Sequence, residues 1–153
     1  MRDSLTGLEY MRLVASGEVE TGPFTRLLGM RITEVDEGRV VFAAEVRPEH
    51  ENSIGIAHGG FAATLLDSAM GCAVNSVMPA GKIFTTLEMK INFTRAVTLQ
   101  SGLLTCTATV LHAGHKTATS EGRILDARGK LCAHGTATFI LFRDLTEERK
   151  THE

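Results

Sequence analysis

The longest apolar stretch of the chain runs from Phe61 to Val77 and is mostly Ala, Leu, Met, Val and Cys, with no proline. A helix that is apolar on nearly every side is one wrapped by other structure, not one laid on a surface. A polar loop from His50, carrying Asn52, Gly55 and His58, leads into it, and Gly59–Gly60 open the helix. Ahead of the loop, Ile32 and Val35 precede a turn at Asp36-Glu37-Gly38, and Val40, Phe42, Ala44 and Val46 alternate after it. This predicts a hairpin over Met30–Val46, ended by Pro48.

After the stop at Met78-Pro79-Ala80-Gly81, four further strands are predicted. Leu87, Met89, Ile91 and Phe93 alternate with Glu88, Lys90, Asn92 and Thr94. Leu104, Cys106, Ala108 and Val110 alternate with threonines. Residues 116–126 are less regular, and Leu131, Ala133, Gly135, Ala137, Phe139 and Leu141 alternate to the end. Short turns at His112–His115 and Ala127–Lys130 make the last three antiparallel neighbours. One buried helix with about six strands predicts an α+β domain in which an antiparallel sheet wraps the helix. Residues 4–16 carry helical periodicity through Leu5, Leu8, Met11, Leu13 and Val14, with Ser4 as the expected cap and Gly17 at the end. One more helical turn is expected in Phe24–Gly29. The chain thus divides into a helical arm over 1–29, a domain over 30–142 and a charged tail over 143–153. The arm is expected to pack across the body or a partner, with an entrance lid as the sharper reading.

Polar groups interrupt the long helix at Gly60, Thr64, Asp67, Ser68, Gly71 and Asn75, a narrow stripe at helical spacing. An isolated Asp in such a helix can simply face solvent or cap a neighbouring element. Within this stripe, however, the Asp67 carboxylate is drawn into a close contact, where it costs several kcal/mol unless paired or hydrogen-bonded. Gly59 and Gly60 present bare backbone N–H groups at the positive end of the helix, suited to an oxygen on which negative charge develops. Eight residues at 1.5 Å each separate Gly59 from Asp67 by about 12 Å. If the two serve one reaction, a second copy of the helix must run antiparallel beside the first. A dimer with shared sites is therefore expected.

The segment N-S-I-G-I-A-H-G-G-F-A-A-T-L-L-D resembles the signature of the hotdog-fold thioesterases of the PaaI-like, phenylacetate-pathway type. Asn52, Gly55, His58, Gly59, Gly60 and Asp67 match it residue by residue, and the resemblance extends over roughly residues 22–142. The later T-T-L-E-M-K-I-N-F-T-R resembles the family's next strand, where a Ser or Thr lines the site; Thr86 is the match and Thr85 the alternative. Arg95-Ala96 departs from relatives that place a proline there. The resemblance implies a hotdog fold and hydrolysis of aryl- or medium-chain acyl-CoA thioesters. Coenzyme A is then part of the substrate, and no separate cofactor is expected. Gly59, with Gly60, would polarise the carbonyl, and Asp67 of the partner chain would act as nucleophile or general base. Asn52 and Thr86 would orient water or substrate, and His58 would support the helix start. Phe61, Leu65 and Met70 are expected near the acyl group. Arg95, Lys116, Arg123, Arg128 and Lys130 are candidates for the CoA phosphates, with the turn Gly114-His115-Lys116 as a backbone approach. Relatives are commonly homotetramers built from two dimers, so the resemblance implies that assembly. A non-catalytic acyl-CoA-binding protein of the same fold is the alternative reading.

Composition narrows the rest. At 153 residues the chain fits one domain, and a net charge of −2 gives no reason to expect nucleic acid or an anionic membrane as partner. Cys72, Cys106 and Cys132 lie in apolar or strand-like runs without C-x-x-C spacing, which reads as reduced core thiols in a cytoplasmic protein and gives no metal site. The first residues lack the apolar run of a signal peptide. No G-x-S-x-G turn is present to support a serine triad.

Overall fold

In the computed structural model, residues 4–143 are described; the tail beyond Arg143 lies outside them. Helix α1 (Gly7–Ser16) and the short α2 (Pro23–Leu27) precede a hairpin of β1 (Arg31–Asp36) and β2 (Arg39–Ala44). Then come α3 (Gly59–Ser76), β3 (Lys82–Phe93), β4 (Leu104–Ala113), β5 (Thr117–Leu125) and β6 (Leu131–Arg143). The six strands form one sheet in the order β1-β2-β4-β5-β6-β3, antiparallel throughout. The sheet curls around α3, which packs against all six strands. This is the hotdog arrangement.

The sheet-facing side of α3 supplies Leu65, Leu66, Ala69, Met70 and Ala73, each fully buried. Glycine allows the close approach: a Cβ on Gly122 of β5 would lie 3.1 Å from Leu66 and 3.2 Å from Met70. Two side chains from the sheet bond to helix carbonyls inside this core, Ser120 Oγ to Met70 at 3.2 Å and Cys106 Sγ to Leu65 at 3.8 Å. A buried hydroxyl with an acceptor avoids the desolvation cost of an unpaired one. Burial also pushes the Cys106 and Cys132 thiols up, away from the reactive thiolate.

The arm is part of this body. Thr6, not Ser4, caps α1 through a reciprocal capping box with Glu9. The Gly7 N–H donates to the Met78 carbonyl at 2.9 Å. A Cβ at Gly7 would fall 1.6 Å from the Asn75 carbonyl oxygen, so only glycine lets α1 seat against the end of α3.

The strand prediction needs one correction. Leu87 does not share a face with Met89 and Ile91, because β3 carries an extra residue where its register with β6 shifts between Thr86 and Glu88. Leu87 is 56% exposed, whereas Met89 and Ile91 pack on the core. Before the bulge the inward phase belongs to Phe84 and Thr86. Strand β3 also starts at Lys82, several residues earlier than its apolar alternation suggests.

Candidate active site

The loop before α3 is locked by two histidines. Buried His50 accepts the Arg47 N–H at Nδ1 (3.0 Å), takes the His58 N–H on its carbonyl (2.8 Å) and stacks on Phe61 with ring centroids 4.3 Å apart. Burial lowers its pKa below the ordinary histidine range. Asn52 folds the loop on itself, its Oδ1 accepting the N–H of Ile54 at 3.0 Å and of Ile56 at 3.4 Å. Gly55 turns the chain with φ +76°.

His58 is the N-cap of α3, and its Nδ1 accepts the Gly60 N–H at 2.9 Å. That bond leaves any proton of the neutral ring on Nε2. It also takes Gly60 out of the pair of donors expected at the helix start. The Gly59 N–H, by contrast, has no acceptor among the described residues. It opens into a cleft of about 350 Å³ shared with Asn52, His58, Phe93 and Arg95. An N–H at the positive end of an 18-residue helix, facing a cleft with an arginine, suits a developing oxyanion or a bound anion.

Asp67 lies elsewhere. It lines a second cavity, of about 310 Å³, together with Thr86 and Ser68. The Thr86 hydroxyl donates to Asp67 Oδ1 at 2.8 Å, leaving Oδ2 without a partner among the described residues. Thr85 points to the other face and is exposed, so of the two adjacent threonines Thr86 is the one placed against Asp67. Within one chain Gly59 and Asp67 thus line separate cavities.

The remaining expected site residues divide. Arg95 borders the Gly59 cleft. Gly114, His115 and Lys116 sit at the opposite end of the sheet, where Lys82 Nζ donates to the His115 carbonyl at 3.1 Å. Leu65 and Met70 are fully buried against the sheet, so they build the core and do not border the Asp67 cavity. Phe61 is also buried, beneath His50. The cavity wall comes instead from residues not expected at the site: Tyr10, Met11 and Val14 of α1, Phe42 of β2 and Phe84 of β3. The periodicity of α1 marks Met11 and Val14, and the alternation of β2 marks Phe42, as inward-facing, but neither pattern says what they cover. Among the described residues no three His, Cys, Asp or Glu side chains converge as a metal site, and no helix is long and apolar enough to cross a membrane.

Known proteins share this arrangement. The family model of the thioesterase superfamily matches residues 54–133, the stretch from the site loop through β3, β4 and β5 to the start of β6. The human acyl-coenzyme A thioesterase 13 is 32% identical over 132 residues, covering 85% of this chain and 93% of that protein. A 1,4-dihydroxy-2-naphthoyl-CoA hydrolase of Listeria monocytogenes is 31% identical over 115 residues, or 74% of this chain and 91% of that one. The structure of the E. coli PaaI protein from the phenylacetic acid degradation operon superposes with a TM-score of 0.78 at 27% identity, over 91% of this chain and 96% of that one. Fold, site loop and relatives agree: the chain belongs to the thioesterase superfamily, as a PaaI-like hotdog enzyme.

Proposed function

We propose that the chain hydrolyses an acyl-CoA thioester at sites shared by two subunits, each built from Gly59 of one and Asp67 of the other. The observation that carries this reading is the division of the machinery: an unpartnered helix-start amide in one cavity and a Thr86-oriented carboxylate in another. The separation of about 12 Å along one helix is beyond the reach of an Asp side chain. Strand β3 supplies a way to close it. It is an edge of the sheet, twelve residues long, and a long unpaired edge is a template for pairing with another strand. Its far end touches the site: a Cβ at Gly59 would lie 3.5 Å from the Phe93 ring. Its near half carries Phe84 and Thr86 beside Asp67. Antiparallel self-pairing of β3 about Met89 and Lys90 sets Phe93 and Gly59 of one copy beside Thr86 and Asp67 of the other.

In this site the Gly59 N–H polarises the thioester carbonyl. Asp67 Oδ2 either attacks the carbonyl carbon, giving a mixed anhydride that water then opens, or takes a proton from the attacking water. A C–O bond forms, the C–S bond breaks, and the CoA thiolate leaves and is protonated. The Asn52 amide NH2, its carbonyl held by the loop, faces the same cleft as Gly59 and orients water or substrate. Arg95 attends the anionic CoA. Two such dimers would make the tetramer.

Complementation tests the shared site. Gly59 is the first residue of α3, where proline is tolerated, and His58 already has the extended ψ of 137° that precedes proline. Gly59→Pro therefore removes the N–H with little cost to the helix and is expected to slow thiol release by on the order of 100-fold. Asp67→Ala is expected to be inactive. Unfolding and refolding the two inactive variants together should restore about one quarter of wild-type activity, because half the dimers then contain one intact site. No recovery from correctly refolded mixtures would refute shared sites.

A further inference from the structure

The Asp67 cavity ends at the arm. Tyr10 of α1 and Asn75 of α3 border it, and the same two residues border a second cleft whose other walls include Leu5, Pro79 and Lys82. That cleft measures about 10 Å³, room for one water at most. Pro79 on its rim is exposed, so the cleft opens at the surface, between α1 and the chain that leaves α3. Tyr10 and Asn75 therefore form a partition between the cavity and the outside of the molecule.

The place of Tyr10 follows from the helix it stands on. Side chains on an α-helix lean toward its N-terminus, over the turn before their own Cα. For Tyr10 that turn holds Gly7, which has no side chain and lies so close to α3 that a Cβ would fall 1.6 Å from the Asn75 carbonyl oxygen. The ring thus closes the space that the glycine leaves open at the end of α3. The Gly7 N–H, donating to the Met78 carbonyl at 2.9 Å, and the capping box of Thr6 and Glu9 hold this turn in place. The partition is a fixed wall, not a flap.

Two measures give the depth in front of it. Asn75 lies two turns of α3 beyond Asp67, about 12 Å away. A fully extended chain advances roughly 3.3–3.6 Å per three bonds, so about ten atoms in line span that distance. At roughly 30 Å³ per water-sized heavy atom, a volume of about 310 Å³ also holds on the order of ten. We propose that Tyr10 is a specificity-determining residue, its ring the stop that limits a straight acyl group to about ten carbons. The inference rests on the thioesterase reading for the reaction and adds which residue sets the length of the group. A longer tail meets the ring and must displace it or fold back. A single methylene without room costs about tenfold or more in kcat/KM. Because the surface cleft lies directly behind the ring, removing the ring gives the tail a way out beside Pro79.

The test is a series of straight-chain CoA esters from hexanoyl to hexadecanoyl, kept below micelle-forming concentrations. In wild type kcat/KM is expected to hold up to decanoyl and to fall by about tenfold or more by tetradecanoyl. Tyr10→Phe keeps the ring and should keep the limit. Tyr10→Ala should bring tetradecanoyl and hexadecanoyl close to the decanoyl rate and leave the shorter esters little changed. Tyr10→Leu, which leaves the arm an apolar group to pack, should move the limit part of the way, and it reads the same effect if the alanine variant does not fold. A ring that only steadied the arm would affect every length alike, so an equal loss across the series in folded variants overturns the proposal. So does a wild type with no fall beyond decanoyl. Calorimetric binding of the same esters to Asp67→Asn, with and without Tyr10→Ala, reads length without hydrolysis. If no ester turns over yet binding shows the limit and Tyr10→Ala lifts it, the thioesterase reading fails and the stop stands. If esters turn over and the limit stays put in Tyr10→Leu and Tyr10→Ala, the thioesterase reading stands and the stop fails. Failure of every ester to bind ends both.

Discussion

The two sides of α3 were built under different rules. Toward the sheet, Leu65, Leu66, Ala69, Met70 and Ala73 are fully buried, and the carbonyls of Leu65 and Met70 meet side chains from β4 and β5. Away from the sheet, the side chains of Ser68 and Asn75 lack hydrogen-bond partners among the described residues, and there Asp67 has Thr86 on one of its oxygens. One side is complete as folded, and the other is complete only with something added. Stability is therefore concentrated on the first side and chemistry on the second. Mutations can separate them.

The largest separation is expected from Asp67→Asn, which keeps size and the Thr86 contact but removes the charge. Thiol release should fall by on the order of 1,000-fold, a loss of about 4 kcal/mol in transition-state stabilisation, while the thermal midpoint stays within a degree or two. A stable variant with wild-type turnover would break the comparison on its chemical side. Leu66→Ala tests the other side: it should cost about 2–5 kcal/mol in urea unfolding, with KM of the protein that remains folded little changed. A change in KM without loss of stability would mean that the core face reaches the substrate.

The smallest effect concerns pH. His50 has its pKa depressed by burial, so below pH 6.5 the unfolded chain binds a proton that the folded loop resists. The sign follows: stability falls as pH drops through 6.5, and the loss levels off once pH is below the lowered folded value. Thermal midpoints from pH 7.5 to 5 should show that slope, and His50→Gln should flatten it. An unchanged slope in that variant would place the titration elsewhere.

The helix, the first hairpin and the antiparallel run of the last three strands were legible in the sequence because their signals are long and redundant. So was the site loop, whose spaced Asn52, His58-Gly59-Gly60 and Asp67 are tied to one helix start. The pairings of β2 with β4 and of β6 with β3, which join distant segments, carry no local signal. What could not be read was direction. A helix apolar all round does not announce which side meets the sheet, so Leu65 and Met70 were expected at the acyl group although they support the core. The cap of α1 does have a local signal, the capping-box spacing of Thr6 and Glu9, which outweighs the hydroxyl of Ser4. The wall that α1 gives to the Asp67 cavity depends on the seat of Gly7 against Asn75, a contact between distant segments with no local pattern.

The bulge at Leu87 has a consequence for how this chain can change length. On either side of it β3 counts in opposite parity: even numbers, Phe84 and Thr86, point inward before it, and odd numbers, Met89 and Ile91, point inward after it. Loss of one residue at the bulge would merge the two parities into a single alternation that keeps Phe84, Thr86, Met89 and Ile91 inward, whereas loss of one residue anywhere else in β3 would turn outward the inward residues on one side of the break. Among descendants of this sequence, single-residue insertions and deletions in β3 should therefore fall at the bulge or nowhere.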